Sequence, residues 1–303
     1  MDDERANVAA LEDFAYDIRR LTIEMITWSR WGHIGGSLSL AEILAVLYLD
    51  AMTVDPARPK WEDRDRLILS KAHASPALYA ALALKGFFPV DELYTYCELG
   101  SRLEGHSDMT RTPGLESSGG PLGMGLSVAA GMAMGLRFKR SPRQRVYCIL
   151  GDGESNEGNV WEAAMAAGHY HLDNLIAIVD YNKVMAKGAV WDQMSLEPLA
   201  DKWRAFGWEV LEVDGHRIRA LLEAFHEARW VKAHGKPVVI IANTVKGRGV
   251  AAAEFNPRWH TQAPDPATAD RMLRELARNY GRPETGYSRF DAESPKETFY
   301  RGE

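Results

Sequence analysis

Short apolar runs alternate along the chain with longer segments in which apolar residues recur every three or four positions. The apolar runs have the length of buried β-strands and lie over 66–70, 146–150, 175–182, 208–213 and 236–244. The segments between them have the spacing of helices that bury one face. Strands that alternate with helices are typical of a sheet covered on both faces, so we predict a doubly wound, mainly parallel α/β fold.

The helix boundaries follow from the same spacing and from residues that start or stop helices. Ser39, with Glu42 three positions later, is typical of a capping box, and Pro121 suits the first position of a helix. Between the first two helices, 32–37 is predicted as a glycine-rich turn. The predicted helices span 8–30, 40–52, 76–85, 90–98, 121–139, 157–171, 198–206, 218–234 and 266–280.

Composition and charge limit what this chain can do. With 303 residues, 46% of them apolar, it is long enough for one large domain, expected over 1–282, with 283–303 as a tail. A formal charge of −6 leaves no basic surface for nucleic acid, and two cysteines without a C-x-x-C pair indicate neither disulfides nor a zinc site. No apolar run reaches about 18 residues and the start is acidic, so we expect no membrane span, no signal peptide and a cytoplasmic location.

Polar and glycine-rich motifs come directly after several of the predicted strands. In an open parallel sheet the carboxyl ends of neighbouring strands share one edge, and ligands bind there. The convergence of these motifs therefore predicts a ligand site at that edge. The motifs are Ser70-Lys-Ala-His73, Gly151-Asp-Gly153, Asn182 and Lys246-Gly-Arg-Gly249.

Asp152 and Asn182 are the candidate metal ligands. Asp152 lies in a glycine turn after one buried strand, and Asn182 ends the next strand along the chain. A carboxylate and an amide oxygen beside glycine N–H groups suit Mg²⁺ or Ca²⁺ that holds a diphosphate. Because Gly-Asp-Gly alone is a common turn, the interpretation depends on the whole order of strand, turn, helix, strand and asparagine.

The chain resembles a known family in seven motifs that occur in that family's order and spacing. Over 10–265 it is similar to the N-terminal, diphosphate-binding domain of transketolases, and in particular to the N-terminal subunits of split transketolases. The resemblance implies the thiamine diphosphate-binding fold of the diphosphate type. The motifs are Gly32-His33, Ser70-Lys-Ala-His73-Ala-Ser75, Leu103-Glu-Gly-His106, Gly119-Gly-Pro-Leu-Gly123, Gly151-Asp-Gly153, Asn182 and Trp259-His260.

The resemblance also implies a cofactor and the residues that hold it. The cofactor would be thiamine diphosphate, anchored by a divalent metal that is Mg²⁺, with Ca²⁺ or Mn²⁺ as substitutes. The backbone of Gly120 and Leu122 would hold the aminopyrimidine ring, and Gly153 and His73 would contact the diphosphate. The metal ligands would be Asp152, Asn182 and the backbone carbonyl of Val184.

Catalytic roles are implied in the same way. His33 and His106 would line the substrate channel, where histidines move protons near neutral pH. His73 and His260 would also belong to the active site, and His260 would contact the cofactor. Glu157 corresponds to a glutamate at a subunit interface, in a proton relay between sites. The reaction would transfer a two-carbon ketol unit from a ketose to an aldose, with the cofactor as the electron sink.

Several residues receive no firm role from the sequence. Arg248 could meet a phosphate or a partner chain, and Lys187 stands where relatives often have an acidic or neutral residue. Thr261 replaces the glycine that usually follows the last active-site histidine. The remaining histidines lack supporting motifs and are interpreted as structural or exposed: His169, His171, His216, His226 and His234.

The resemblance ends where a complete transketolase would continue into its pyrimidine-binding domain. That domain supplies the glutamate that activates the cofactor and most of the ligands of the sugar phosphate. We therefore expect a C-terminal partner subunit, an α2β2 heterotetramer and no turnover by this chain alone. Sugar phosphates are the expected substrates, and branched or sulfonated sugars stay open because the other half would distinguish them.

Three other interpretations compete with this one. A different thiamine diphosphate enzyme, similar to deoxyxylulose-phosphate synthase or to a 2-oxoacid dehydrogenase, would be separated by its use of pyruvate with glyceraldehyde phosphate. A non-catalytic interaction protein with this fold would not need Asp152, Asn182, Glu157 and three histidines together. A metallohydrolase would require an H-x-H or H-E-x-x-H pair, which the sequence lacks.

Overall fold

The computed structural model describes residues 2–140, 143–230 and 235–284. Within these ranges five strands alternate with helices, as the apolar pattern predicts. The strands are β1 (Arg66–Leu69), β2 (Val146–Gly151), β3 (Leu175–Tyr181), β4 (Glu209–Asp214) and β5 (Val238–Asn243). The α-helices are α1 (Asp2–Ser29), α2 (Ile34–Leu38), α3 (Ala41–Val46), α4 (Ser75–Lys85), α5 (Met124–Phe138), α6 (Gly158–His169), α7 (Val190–Gln193), α8 (Leu199–Ala205), α9 (Ile218–Trp230) and α10 (Pro266–Asn279).

All neighbouring strands of the sheet run parallel, in the order β1-β2-β3-β5-β4. The register places Gly151 of β2 opposite Asp180 of β3, and Tyr181 of β3 opposite Asn243 of β5. The residues that follow these strand ends therefore share one edge, which we call the carboxyl edge. This arrangement confirms the predicted doubly wound, mainly parallel α/β fold.

Alternate residues of the central strands enter two different cores. Tyr147 and Ile149 of β2 belong to a core with α1, α3, α4 and α9, whereas Cys148 and Leu150 belong to a core with α5, α6 and α8. Because both faces of β2 and β3 are covered, their sequences are continuous apolar runs rather than alternating ones. A third apolar cluster joins α1, α2 and α10.

The predicted capping box at Ser39 is wrong. α3 follows Leu40, and no side chain caps it. The Ser39 hydroxyl instead donates to Asp180 Oδ2 at 2.7 Å, and Glu42 forms an ion pair with Arg19 at 2.6 Å. Because both side chains are buried, each needs a partner inside the fold, and these tertiary partners replace the local cap.

The predicted helix start at Pro121 is also wrong. α5 begins at Met124, after Gly123 adopts a left-handed φ of 81° that glycine accepts most easily. The Gly123 N–H donates to Glu154 Oε1 at 2.7 Å. The loop is thus tied to the turn after β2 before the helix starts, and a sequence signal at the helix itself does not show this.

Other boundaries differ in smaller ways. The predicted glycine turn over 32–37 is mostly the short helix α2, and the helix predicted over 40–52 continues after α3 as a π-helical turn, Leu47–Ala51. The helix predicted over 90–98 is a 3₁₀ helix, Val90–Thr95.

Part of the predicted organisation cannot be followed in the structure. Residues 231–234, with His234, and residues 285–303 of the predicted tail lie outside the described residues, so the domain boundary at 282 stays a prediction. Within the described ranges, no helix has both the length and the apolar character needed to cross a bilayer.

Candidate active site

The turns that carry Asp152 and Asn182 touch each other at the carboxyl edge. Asp152 follows β2, and its Oδ2 accepts a hydrogen bond from the Lys183 N–H at 2.5 Å. Lys183 is the residue next to Asn182, which follows β3. The Asn182 Oδ1 accepts from the Val184 N–H at 3.2 Å. The two predicted ligands are therefore buried on adjoining turns, with the Val184 backbone in the same turn.

These groups fit a divalent cation. A carboxylate, an amide oxygen and a backbone carbonyl are hard oxygen ligands of the kind that Mg²⁺ and Ca²⁺ prefer. Burial and the nearby Asp180 carboxylate raise the pKa of Asp152 to about 6. A cation bound there would offset both effects and keep Asp152 ionised. Among the described residues no three His, Cys, Asp or Glu side chains cluster into a metal site, so backbone and amide oxygens would have to contribute.

Asp180, the penultimate residue of β3, is the hub of this region and was not identified from the sequence. It is fully buried, and its Oδ2 accepts from Lys71 Nζ at 2.5 Å, Ser39 Oγ at 2.7 Å and Asn182 Nδ2 at 3.0 Å. The Thr244 hydroxyl donates to Oδ1. Burial raises the pKa of Asp180, but the Lys71 ammonium and these hydrogen bonds outweigh it and leave the pKa below its ordinary value.

The contact with Asp180 fixes the orientation of the Asn182 amide. Because a carboxylate only accepts, the Asn182 NH₂ group must face Asp180 and its oxygen must face the other way. An amide held by such a partner presents one defined oxygen to a ligand, as outer groups do around bound metals. The sequence signal for Asp180 was a charged residue near the end of an otherwise apolar strand.

Two buried lysines converge on the same region, and sequence analysis gave neither of them a role. Lys71 and Lys246 are each 1% exposed. Besides Asp180, Lys71 Nζ donates to the Gly36 carbonyl at 2.9 Å. Lys246 Nζ donates to the carbonyls of Val184 at 2.8 Å and Met185 at 3.1 Å. Both lysines stand inside motifs that the sequence had singled out, so their position after a strand was the available signal.

Lys246 connects the metal turn to the histidines. Its Nζ lies 2.9 Å from Nδ1 of His260. Because an ammonium only donates, Nδ1 accepts and the proton of neutral His260 is on Nε2. Burial and the nearby Lys71 charge lower the pKa of Lys246 to about 8. Lys71 is paired with Asp180, whereas these contacts of Lys246 are with uncharged groups, so the charge of Lys246 suits a negatively charged ligand such as a diphosphate.

Four predicted active-site histidines from distant parts of the chain lie together. The ring of His33 lies 5.2 Å from that of His73, 6.0 Å from His106 and 5.4 Å from His260, measured between centroids. The His73 and His260 rings are 5.3 Å apart. The fold thus brings together all four side chains.

The local electrostatics keep three of these histidines neutral. Burial, with His106 and Lys246 nearby, lowers the pKa of His33 to about 4, and burial with Lys246 lowers that of His260 to about 3. Burial and Lys71 bring the pKa of His73 well below its ordinary value. The His33 Nδ1 is buried and has no hydrogen-bond partner among the described residues. A buried polar atom without a partner calls for an explanation, and contact with a bound ligand or water is one.

Glu154 holds the glycine loop in place and was also missed. Its Oε1 accepts from the Gly123 N–H at 2.7 Å and from Ser70 Oγ at 2.5 Å, and its Oε2 accepts from the Gly151 N–H at 2.9 Å. One buried carboxylate therefore joins the ends of β1 and β2 to the start of α5. The backbone around Gly120 borders open space, since a Cβ atom there would meet nothing within 4 Å.

The remaining predicted residues occupy the periphery. Leu122 is 41% exposed, and Glu157 is exposed and lies against Gly123, whose added Cβ would come within 2.7 Å of Glu157 Cβ. The Gly153 N–H donates to Asp152 Oδ1 at 2.6 Å. The structure places these groups around the clustered residues, and their roles stay predictions.

The structure shows the surroundings of several residues to which the sequence gave no firm role. Arg248 does not join the cluster: it lies 3.7 Å from Glu254 and lines a cleft of ≈ 620 Å³ with His216. His216 is structural, because its Nδ1 lies 3.0 Å from Glu42 and its Nε2 accepts from the Val245 N–H. The side chains of His169, His171, His226 and Lys187 are exposed.

Comparison with known proteins gives a consistent result. A sequence model described as "Transketolase, thiamine diphosphate binding domain" matches residues 11–282. The chain is 50% identical over 244 residues to a 6-deoxy-6-sulfo-D-fructose transketolase subunit, SqwG, of Clostridium sp. (strain MSTE9), covering 80% of this chain and 88% of the relative. It is 40% identical over 259 residues to an apulose-4-phosphate transketolase subunit of Phocaeicola vulgatus, covering 86% and 91%.

Solved structures place the chain within a longer architecture. The transketolase of Campylobacter jejuni superposes with a TM-score of 0.84 at 31% identity, covering 92% of this chain and 44% of the other. The chain thus spans less than half of a full-length enzyme, yet nearly the whole of the two relatives above.

Proposed function

The chain belongs to the transketolase family, as a counterpart of the N-terminal, thiamine diphosphate-binding subunit of split enzymes, and we propose that it holds the cofactor for transfer of a two-carbon ketol unit from a ketose to an aldose. The observation that carries the proposal is the meeting at one sheet edge of an oxygen ligand set, two buried lysines and four histidines. A binding scaffold would not require all three together.

The charged residues would hold the diphosphate end of the cofactor. Asp152, Asn182 and the Val184 carbonyl would bind the divalent metal, Mg²⁺ or one of its substitutes. The Val184 carbonyl already accepts from Lys246, but a carbonyl oxygen has two lone pairs and can serve both groups. His73 and the Gly153 backbone would contact the diphosphate, and the backbone at Gly120 and Leu122 the aminopyrimidine.

The histidines would move protons on the substrate. The bound cofactor supplies an electron sink for cleavage of the carbon–carbon bond. His33 and His106 would exchange protons with the sugar hydroxyls. His260, whose Nδ1 accepts from Lys246, would donate to the sugar from Nε2. The Nδ1 of His33 is buried and has unused hydrogen-bonding capacity.

A second polypeptide would complete the enzyme. Two relatives that the chain covers to 88% and 91% of their length are named as transketolase subunits, which supports a pyrimidine-binding half on a second polypeptide, and we expect an α2β2 assembly. The exposed Glu157 would face that interface. The substrates of the assembled enzyme would be sugars with an anionic group, since the relatives are named for sulfofructose and apulose 4-phosphate. We expect a cytoplasmic location.

The test is reconstitution. The chain is purified alone and together with a polypeptide that carries the C-terminal half of a transketolase, and ketol transfer is measured with thiamine diphosphate and Mg²⁺. Transfer is expected only from the mixture. Full activity of the chain alone would contradict the need for a partner. Turnover of pyruvate with glyceraldehyde phosphate, but of no ketose donor, would favour the deoxyxylulose-phosphate synthase alternative.

A further inference from the structure

Trp31 places a large aromatic ring beside the histidine cluster and leaves much of it open. The indole lies 5.4 Å from the ring of His33 and 6.4 Å from that of His106, edge-on to both. It is 42% exposed, although its other aromatic neighbour, Tyr96, is completely buried. Its exposed face lies next to the clustered histidines and is open to a ligand or a partner chain.

The ring of Trp31 is held in a fixed position. The Ser29 hydroxyl donates to the Trp31 carbonyl at 2.6 Å, and the Ser29 hydroxyl oxygen accepts from the Trp31 N–H at 3.2 Å. The ring packs so closely on Gly105 that a Cβ atom there would lie 2.4 Å from it. Because position 105 must be glycine for the ring to fit, the Trp31 ring packs directly against the loop that leads to His106.

The Trp31 indole and the two imidazoles beside it suit an uncharged carbon chain with hydroxyl groups. No hydrogen bond within the described residues engages the indole N–H, so it is available as a donor. Aromatic faces pack on C–H groups, while the imidazoles of His33 and His106 exchange hydrogen bonds with hydroxyls. Arg111, which follows His106 on the same loop, forms an ion pair with Glu104.

We propose that Trp31 is a specificity-determining residue that packs against the uncharged carbon chain of the sugar substrate. The proposal rests on the proposed function and adds the part of the sugar that this chain recognises. Trp31 contributes to binding and carries out no proton transfer. Its loss should therefore change KM for sugars much more than kcat.

The experiment uses the assembled two-chain enzyme and three variants. Trp31→Ala removes the ring, Trp31→Phe keeps an aromatic face, and Trp61→Phe is the matched control. Trp61 packs under Arg58 before β1, at the opposite edge of the sheet from the histidines. We expect Trp31→Ala to raise KM for ketose and aldose about 3- to 12-fold, Trp31→Phe less than about 3-fold, and Trp61→Phe not at all.

A second readout separates a contact with sugar from a contact with the partner chain. Titration of the aldose into the wild-type complex should change tryptophan fluorescence, and Trp31→Phe should abolish the change while Trp61→Phe keeps it. Unchanged KM in Trp31→Ala, or a fluorescence response that survives in Trp31→Phe, would overturn the proposal. Weaker assembly of the two chains with unchanged KM would assign Trp31 to the interface instead. A wild-type complex that shows no ketol transfer would contradict the proposed function itself rather than the role of Trp31.

Discussion

The two sides of the candidate active site differ in charge and in how far the protein itself satisfies them. The charged side consists of Asp152, Asn182, Asp180, Lys71 and Lys246, each of which is at most 4% exposed. Every one of these side chains has hydrogen bonds or an ion pair inside the protein. This side is therefore formed and oriented before any ligand arrives.

The uncharged side consists of His33, His106 and Trp31. His33 has a buried nitrogen without a partner among the described residues, and Trp31 is 42% exposed. His33 is kept neutral, since its pKa lies at about 4. This side has polar groups that the described part of the chain does not satisfy, so it keeps hydrogen-bonding capacity for a ligand.

This difference suggests that the charged side binds the cofactor and that the uncharged side acts on the substrate. Fixed charges are worth most in a buried site where they need not reorganise, which suits a permanently bound diphosphate. Neutral groups with open hydrogen-bonding capacity suit a substrate that must enter and leave. Substitutions on the charged side should therefore affect cofactor affinity, and those on the uncharged side should affect the binding or turnover of the sugar.

The largest effect is expected for Asp152→Ala. Loss of the carboxylate should weaken Mg²⁺-dependent binding of thiamine diphosphate to the assembled enzyme by more than about 100-fold, because Asp152 is the charged member of the proposed ligand set. Calorimetric titration of the cofactor with Mg²⁺ measures this. Asp192→Ala, an exposed carboxylate on α7, is the control. Wild-type affinity in Asp152→Ala would remove the metal assignment.

His106→Ala should show the opposite pattern. We expect kcat to fall about 100-fold, within the range for a lost proton-transfer group, while the affinity for cofactor stays within about 2-fold of wild type. Steady-state kinetics at saturating cofactor, with His171→Ala as an exposed control, measure it. If cofactor affinity fell and kcat did not, the two sides would not be separate in function.

Lys246→Met sharpens the comparison because Lys246, a member of the charged side, also contacts His260, one of the four clustered histidines. Loss of a charge-assisted contact should raise the dissociation constant of thiamine diphosphate about 10- to 100-fold and leave kcat at saturation within about 3-fold. Lys187→Met, an exposed lysine on the same loop as the metal turn, should have no effect. A large fall in kcat would move Lys246 to the catalytic side, through its contact with His260.

The smallest effect concerns pH and stability. The pKa of His33 is about 4 in the fold, against an ordinary value of 6.5. Between these values His33 binds a proton in the unfolded chain and none in the folded chain, so His33 contributes a fall in the free energy of unfolding as pH decreases from 6.5 to about 4. His33→Gln should reduce that fall. Urea titrations across this range, with His171→Gln as control, would show parallel curves for wild type and His33→Gln if the interpretation is wrong.

The sequence was informative about the edge and less so about its supporting contacts. Asp152 and Asn182 could be placed together because each ends a buried strand. Asp180 was missed although it lies two residues from Asn182, because its role depends on Lys71, 109 residues away. Ser39 was assigned to a local cap for the same reason, since its actual partner is Asp180, 141 residues away.

The sequence by itself determined the parallel sheet and which residues end its strands, because apolar runs and helical spacing are local patterns and parallel strands must end at one edge. Only the tertiary structure decided how Lys71, Lys246 and Glu154 pair, and that Trp31 lies against His33 and His106. Those contacts join segments far apart in the chain. They depend on strand register and on the packing of loops, which no local pattern contains.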